Sequence, residues 1–133
     1  MKTKILVVDN EQDVAKALKV RLKTNGYEVV LAFDSVHAYI LACEERPDLI
    51  ILETFIPGGG GLLVAERLKA SAATRHIPII FVTEVSGCEK RAYQAGARSY
   101  LMKPYNPNVL LSEIKMALET DDNQVSEVAP LPA

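Results

Sequence analysis

The stretch LIILETFIPGGGG, residues 49–61, decides the fold. Leu49–Leu52 is a short continuous apolar run rich in isoleucine. Such a run reads as a strand buried on both faces, as in a parallel sheet. It stops on an acid, Glu53. Pro57 and the glycines Gly58 to Gly61 follow, and then a segment with Leu62, Ala65 and Leu68 on one helical stripe. The order strand, loop, helix is that of a βα unit.

The same order repeats along the chain. Further apolar runs occur at Ile5–Val8, Tyr27–Ala32, Ile77–Val82 and Ser99–Met102. Helical segments separate them. Val14, Ala17, Leu18 and Leu22 form one stripe, and Asn25-Gly26 then supplies a stop that tolerates positive φ. A second helix starts after Asp34 or Ser35 and ends before Pro47. A fourth lies near Cys88–Ala95 and ends at Gly96. For the fifth, Asn106 can cap and Pro107 suits the first helical position. Leu110, Leu111, Ile114, Ala117 and Leu118 form its apolar face. Five βα units joined by right-handed crossovers predict a doubly wound parallel sheet of order 2-1-3-4-5. The domain is expected over 1–120. After Thr120 the polar, Pro-containing DDNQVSEVAPLPA reads as a flexible tail or linker over 121–133.

The 133 residues suit one domain. Lys and Arg number 15 against 17 Asp and Glu, a net charge of −2. That balance gives no electrostatic case for nucleic acid binding. No apolar run approaches a membrane span and no signal-peptide pattern opens the chain. Cys43 and Cys88 lack metal or disulfide spacing and read as reduced, core-like thiols of a cytoplasmic protein. His37 and His76 read as surface or boundary residues. The glycine run is not a phosphate cradle, because Gly61 is followed by Leu62-Leu63 rather than Lys-Ser/Thr.

In open α/β sheets, ligands bind beyond the carboxyl ends of the strands, where the strand order reverses. The first strand leads into Asp9, Asn10 and Glu11. The third leads into Glu53, the fourth ends at Thr83 and the fifth leads into Lys103. Acids, a hydroxyl and an ammonium thus share one rim, a combination that marks a site.

With these residues in place, the chain resembles the receiver domain of two-component response regulators over nearly its whole length. ILVVDNE resembles the opening acidic motif, and PDLIILETFIPGGGG the segment that carries the phosphoacceptor. IPIIFVTE resembles the strand ending in Thr or Ser, and GARSYLMKPY the segment with a switch aromatic and a Lys-Pro pair. The resemblance implies a flavodoxin-like (βα)5 fold and a phosphoryl switch. An Asp takes a phosphoryl group from a histidine kinase's phosphohistidine. Magnesium bridges acid side chains and phosphoryl oxygens, and Lys and Thr bind those oxygens too. Carried over, Glu53 occupies the phosphoacceptor position, and Asp9 and Asn10 the acidic pair, with Glu53 completing the metal set. Thr83 and Lys103 keep their identities, Tyr100 matches the switch aromatic, and Lys103-Pro104 is a cis peptide.

The departures point to an atypical member, a pseudo-receiver. Glu53 stands one methylene further out than Asp, and a misplacement of about 1 Å can cost ~100-fold in rate. Asn10 supplies no charge to magnesium, which favours charged hard oxygens. Glu84, turned inward, would hinder an anionic donor. Glu11 either compensates for Asn10 or begins the first helix. The expected function is a signalling module that is phosphorylated weakly or not at all. It would bind a kinase, an output domain or its own twin through the fourth helix, fifth strand and fifth helix. The alternative is a conventional receiver that accepts a phosphoryl group with magnesium. A metal-dependent hydrolase using Asp9 and Glu53 has no supporting His, Cys or Ser constellation. No organic cofactor is expected.

Overall fold

Strand β1 (Lys4–Val8) lies inside the sheet, flanked by the edge strand β2 (Glu28–Ala32) and the central strand β3 (Leu49–Leu52). β4 (Ile79–Thr83) and β5 (Ser99–Met102) extend it, in the order β2-β1-β3-β4-β5 with every pairing parallel. The helices α1 (Gln12–Thr24), α2 (Ser35–Glu45), α3 (Gly61–Ala70), α4 (Glu89–Gln94) and α5 (Pro107–Val128) connect and close the strands. This is the expected flavodoxin-like architecture. The structure is a computed structural model that describes residues 2–128, with side chains through Glu119.

Alternation along each strand divides the core in two. Leu6, Val8, Ile50, Leu52 and Phe81 face α2, α3 and α4 and pack on Ala38, Ala42, Ala65 and Leu68. Ile5, Val7, Leu49, Ile51 and Val82 face α1 and α5 and pack on Leu18, Leu22, Leu110 and Ile114. Both faces of the sheet are covered, which is why the strands read as continuous apolar runs. Among the described residues no helix is long and apolar enough to cross a membrane.

Three details differ from the sequence reading. The buried stripe of α1 is Ala15, Leu18 and Leu22, whereas Val14 and Ala17 are exposed. The small Ala15 lets the helix approach the sheet, so the stripe turns toward it. Cys43 is exposed rather than in the core, because α2 buries Ser35, Ala38 and Ala42 and leaves position 43 about 100° away. Finally, α5 runs to Val128, past Thr120, where the helical pattern is expected to end. No glycine or proline interrupts the sequence between Pro107 and Pro130. The rest of the expected tail, 129–133, lies outside the described residues.

Helix ends follow local chemistry. Asn25 caps α1 and Gly26 takes φ 91°. Asn106 Oδ1 accepts the Asn108 N–H at 2.8 Å ahead of α5. Asp34 caps α2 by accepting the His37 N–H at 2.8 Å, and its second oxygen meets His37 Nδ1 at 2.8 Å. The backbone hydrogen bond from His37 is the main cause that holds the Asp34 carboxyl below its usual value. A depressed carboxylate stabilises the fold above its unfolded pKa, and that contribution is lost as pH falls through the folded value. Asp34→Ala is therefore expected to lower the urea midpoint at pH 7 and to leave it nearly unchanged at pH 2. Denaturation curves at the two pH values check this.

Candidate functional site

The parallel pairing of Val8 with Leu52 brings Asp9 and Glu53 out of adjacent strands at one level. Glu53 N–H donates to Val8 O at 3.0 Å, which fixes that level. From the far edge, Lys103 follows β5, its own N–H donating to Thr83 O at 2.7 Å. The Lys103 ammonium donates to Asp9 Oδ2 at 2.6 Å and to Glu53 Oε1 at 2.9 Å. All three side chains are nearly closed to solvent: Lys103 is 12% exposed, Asp9 8% and Glu53 9%.

The remaining oxygens are engaged as well. Asp9 Oδ1 accepts the Glu11 N–H at 2.9 Å and so turns the chain into α1. Glu53 Oε2 accepts the Thr54 N–H at 2.7 Å and, more weakly, the Phe55 N–H at 3.4 Å. Burial pushes the Lys103 ammonium down, but the hydrogen bonds it donates to Asp9 and Glu53, with their charges, outweigh it and hold its pKa above the usual value. Next to it, burial raises the Tyr105 phenol against the opposing pull of Lys103 and Arg21.

Thr83 is wholly buried, and its hydroxyl accepts the Val85 N–H at 3.3 Å. No hydrogen bond joins it to Glu53 among the described residues. Tyr100 is half-buried against the α3–α4 side of the core, 6.4 Å from the Phe81 ring. Its hydroxyl donates to Val85 O at 2.6 Å. Val85 thus touches Thr83 through its N–H and Tyr100 through its C=O, a link that no sequence pattern announces. The Lys103–Pro104 peptide is cis.

Asp9, Glu53 and Lys103 therefore form one cluster, with Thr83 at the end of β4, the strand between β3 and β5. Asn10 is exposed and stands apart, lining a cavity with Thr54 and Phe55. Glu84 is exposed and lines a separate groove with Arg21, Lys103 and Tyr105, so it does not turn inward. Glu11 is the N-cap residue of α1 and makes no side-chain capping bond.

The glycine loop is tied down at both ends. Ser35 N–H donates to Pro57 O at 2.8 Å, and Ser35 Oγ donates to Gly60 O at 3.3 Å. Gly61 N–H donates to Thr54 O at 2.7 Å. Sequence reasoning missed Ser35 in this role, and also Thr54. Thr54 is buried, and its hydroxyl has no partner among the described residues. A threonine after a strand end carries no mark of either property.

Comparisons with known proteins agree with this geometry. The family model for the response regulator receiver domain matches residues 5–115. The chain is 36% identical over 117 residues to the phosphate regulon transcriptional regulatory protein PhoB of Pseudomonas aeruginosa, covering 86% of this chain and 51% of that protein. It is 33% identical to the response regulator PleD of Caulobacter vibrioides, covering 86% of this chain and 26% of that protein. The chain thus spans about half or less of these relatives. A CheY-like receiver domain solved from Methanospirillum hungatei JF-1 superposes with a TM-score of 0.88 at 27% identity, covering 93% of this chain and 99% of that one. On sequence, topology and the arrangement of the strand-end residues, this chain belongs to the response regulator receiver domain family.

Proposed function

We propose that this chain is a receiver module of a two-component system whose output does not depend on phosphorylation of Glu53. The observation that carries the reading is the engagement of the Glu53 carboxylate. One oxygen is held by the Lys103 ammonium at 2.9 Å and the other by the Thr54 N–H at 2.7 Å. Each of these partners occupies a carboxylate oxygen that would otherwise be open to a phosphodonor. The longer side chain also misplaces the reacting oxygen relative to an Asp.

The family's magnesium fits this donor set poorly. Among the described residues no group of three His, Cys, Asp or Glu side chains is placed to hold a metal ion. Asp9 and Glu53 already share Lys103, and Asn10 offers an uncharged and exposed amide. Magnesium favours charged oxygens in near-octahedral array. No step is therefore assigned to it.

In this reading the domain signals by protein contact. A histidine kinase, an output domain or a second copy would meet α4, β5 and α5. Each of these elements exposes a large apolar side chain: Tyr93, Met102 and Met116. The second reading is conventional phosphoacceptance. It is supported by Thr83 at the end of β4 and Lys103 after β5, residue types able to bind phosphoryl oxygens, the latter already in contact with Glu53.

Intact-mass spectrometry after incubation with acetyl phosphate and magnesium separates the two. The native chain is expected to gain no phosphoryl mass, and Glu53→Asp to gain one labile adduct. An adduct on the native chain that maps to Glu53 would establish the conventional reading instead. Silence in both chains would move the cause from Glu53 to Asn10.

A further inference from the structure

We infer that the free edge of β2 is a docking site for an extended acidic segment of a partner protein, which joins the sheet as an added strand. β2 is the outer strand beside β1. Its pairing fixes which backbone groups are left over. Glu28 N–H donates to Thr3 O at 2.9 Å, and Ala32 O accepts the Asp9 N–H at 3.1 Å. Glu28, Val30 and Ala32 therefore turn their backbone groups toward β1, in an unbroken parallel register. Backbone groups alternate sides along a strand. Val29 and Leu31 thus turn theirs outward, where the sheet has no further strand.

The edge is apolar and carries little that would repel a strand. Tyr27, Val29, Val30, Leu31 and Phe33 are all half-buried, whereas β1 is fully buried from Ile5 to Val8. Edge strands that avoid partners commonly carry lysine, proline or a bulge. β2 reads EVVLA and has none of these, and its one charge, Glu28, stands at its start.

Charge selects the occupant. Val14, Ala17 and Arg21 line the groove that α1 shares with the start of α5. At 100° per residue, Lys16, Lys19 and Lys23 fall on the opposite flank of α1, across the buried stripe of Ala15, Leu18 and Leu22. α1 packs on β2, so that flank overlooks the β2 edge. None of the three lysines forms an ion pair among the described residues. Val29 and Leu31 pack toward α1, and Val30 toward α2. Side chains of an added strand would alternate in the same way. Every second one would meet the lysines, and the others would meet the apolar side of Val30. An extended segment with alternating acidic and apolar residues fits both. A second copy does not fit, because antiparallel edge pairing about a two-fold axis sets α1 beside its twin, lysine row against lysine row. This surface is independent of whether Glu53 is ever phosphorylated.

The test is an NMR titration of the full chain, at about 0.15 M salt, with a short capped peptide of alternating Glu and Val. The Val29 and Leu31 amides are expected to shift saturably, with a dissociation constant of about 0.5 mM, and to gain protection from hydrogen exchange. The same peptide N-methylated at every residue keeps its charge but has no N–H to donate. It is expected to bind about tenfold more weakly. A peptide of alternating Lys and Val is expected to bind at least about tenfold more weakly as well. Lys19→Glu combined with Lys23→Glu, both on the surface of α1, should weaken the Glu-Val peptide about tenfold. The proposal is overturned if the Val29 and Leu31 amides stay unmoved or if the shifts are confined to another surface. Equal binding of the N-methylated or the Lys-Val peptide, or undiminished binding by the double variant, would overturn it too. A dimer of the native chain that the peptide dissociates, seen by sedimentation, would assign the edge to a second copy instead.

Discussion

Replacing Lys103 with methionine is expected to lower the unfolding free energy at pH 7 by about 3–5 kcal/mol. Methionine keeps the length and apolar stem of the side chain, so the loss isolates the ammonium. Without it, the Asp9 and Glu53 carboxylates face each other nearly buried, at 8% and 9% exposure. Like charges then stand together with no cation between them, and acid, which neutralises carboxylates, should shrink the deficit of the variant. Glu53→Gln placed in the same chain should recover part of the loss by removing one of the charges. The native chain has the complementary behaviour. Its Lys103 pKa lies above the usual 10.5. The stability it contributes is complete below the unfolded value and fades as pH rises through the folded one. Urea unfolding at pH 4 and 7, and at a pH above the unfolded lysine value of 10.5, measures all of this. A loss under about 1 kcal/mol at pH 7 would mean that solvent replaces the ammonium at little cost.

Gly61→Ala is expected to cost about 3 kcal/mol or more, the top of the range for overpacking. A Cβ at this position would lie 2.2 Å from the Glu53 carbonyl oxygen and 3.2 Å from the Thr54 Cα. Those are backbone atoms that cannot swing aside. The reason is proximity rather than conformation, since Gly61 is not among the glycines with positive φ. Gly26→Ala is the contrast. Gly26 has φ 91° with open space around it, so alanine there bears only the left-handed penalty of about 1–2 kcal/mol. Urea midpoints of the two variants, measured together, separate the causes. Equal losses would show that α3 can back away from β3 without cost. The displaced α3 should also shift Glu53, visible as altered amide resonances at Asp9 and Lys103.

The sheet was legible because its strands are buried on both faces and its polar residues come where strands end. Asp9, Glu53, Thr83 and Lys103 could be assigned to one rim from the order of apolar runs alone. Helix ends were legible where capping is local, as at Asp34, Asn106 and Asn25-Gly26. Orientation was harder to read. Whether Val14 or Ala15 faces the sheet depends on how closely α1 docks, and an apolar residue at either position suits a helix. Asn10 and Glu84 both adjoin residues of the site, yet their side chains leave it. The lone hydroxyl of Thr54 and the shared contacts of Val85 arise from packing between distant segments, so no local pattern records them.

The Lys103 clamp also has a consequence for the order of events in folding. Its two bonds join residues 94 and 50 positions apart in the chain. Contacts of such span carry a loop-closure cost that is met before they return anything, so they form late. As the chain is synthesised, Asp9 and Glu53 exist well before Lys103 does. Until β5 arrives at the sheet edge, two acids sit at neighbouring strand ends with no cation between them, and their repulsion holds that end of the sheet apart. The last strand to be made brings the counter-charge and draws it shut. A partner that recognises the closed rim therefore recognises only chains whose final strand has docked.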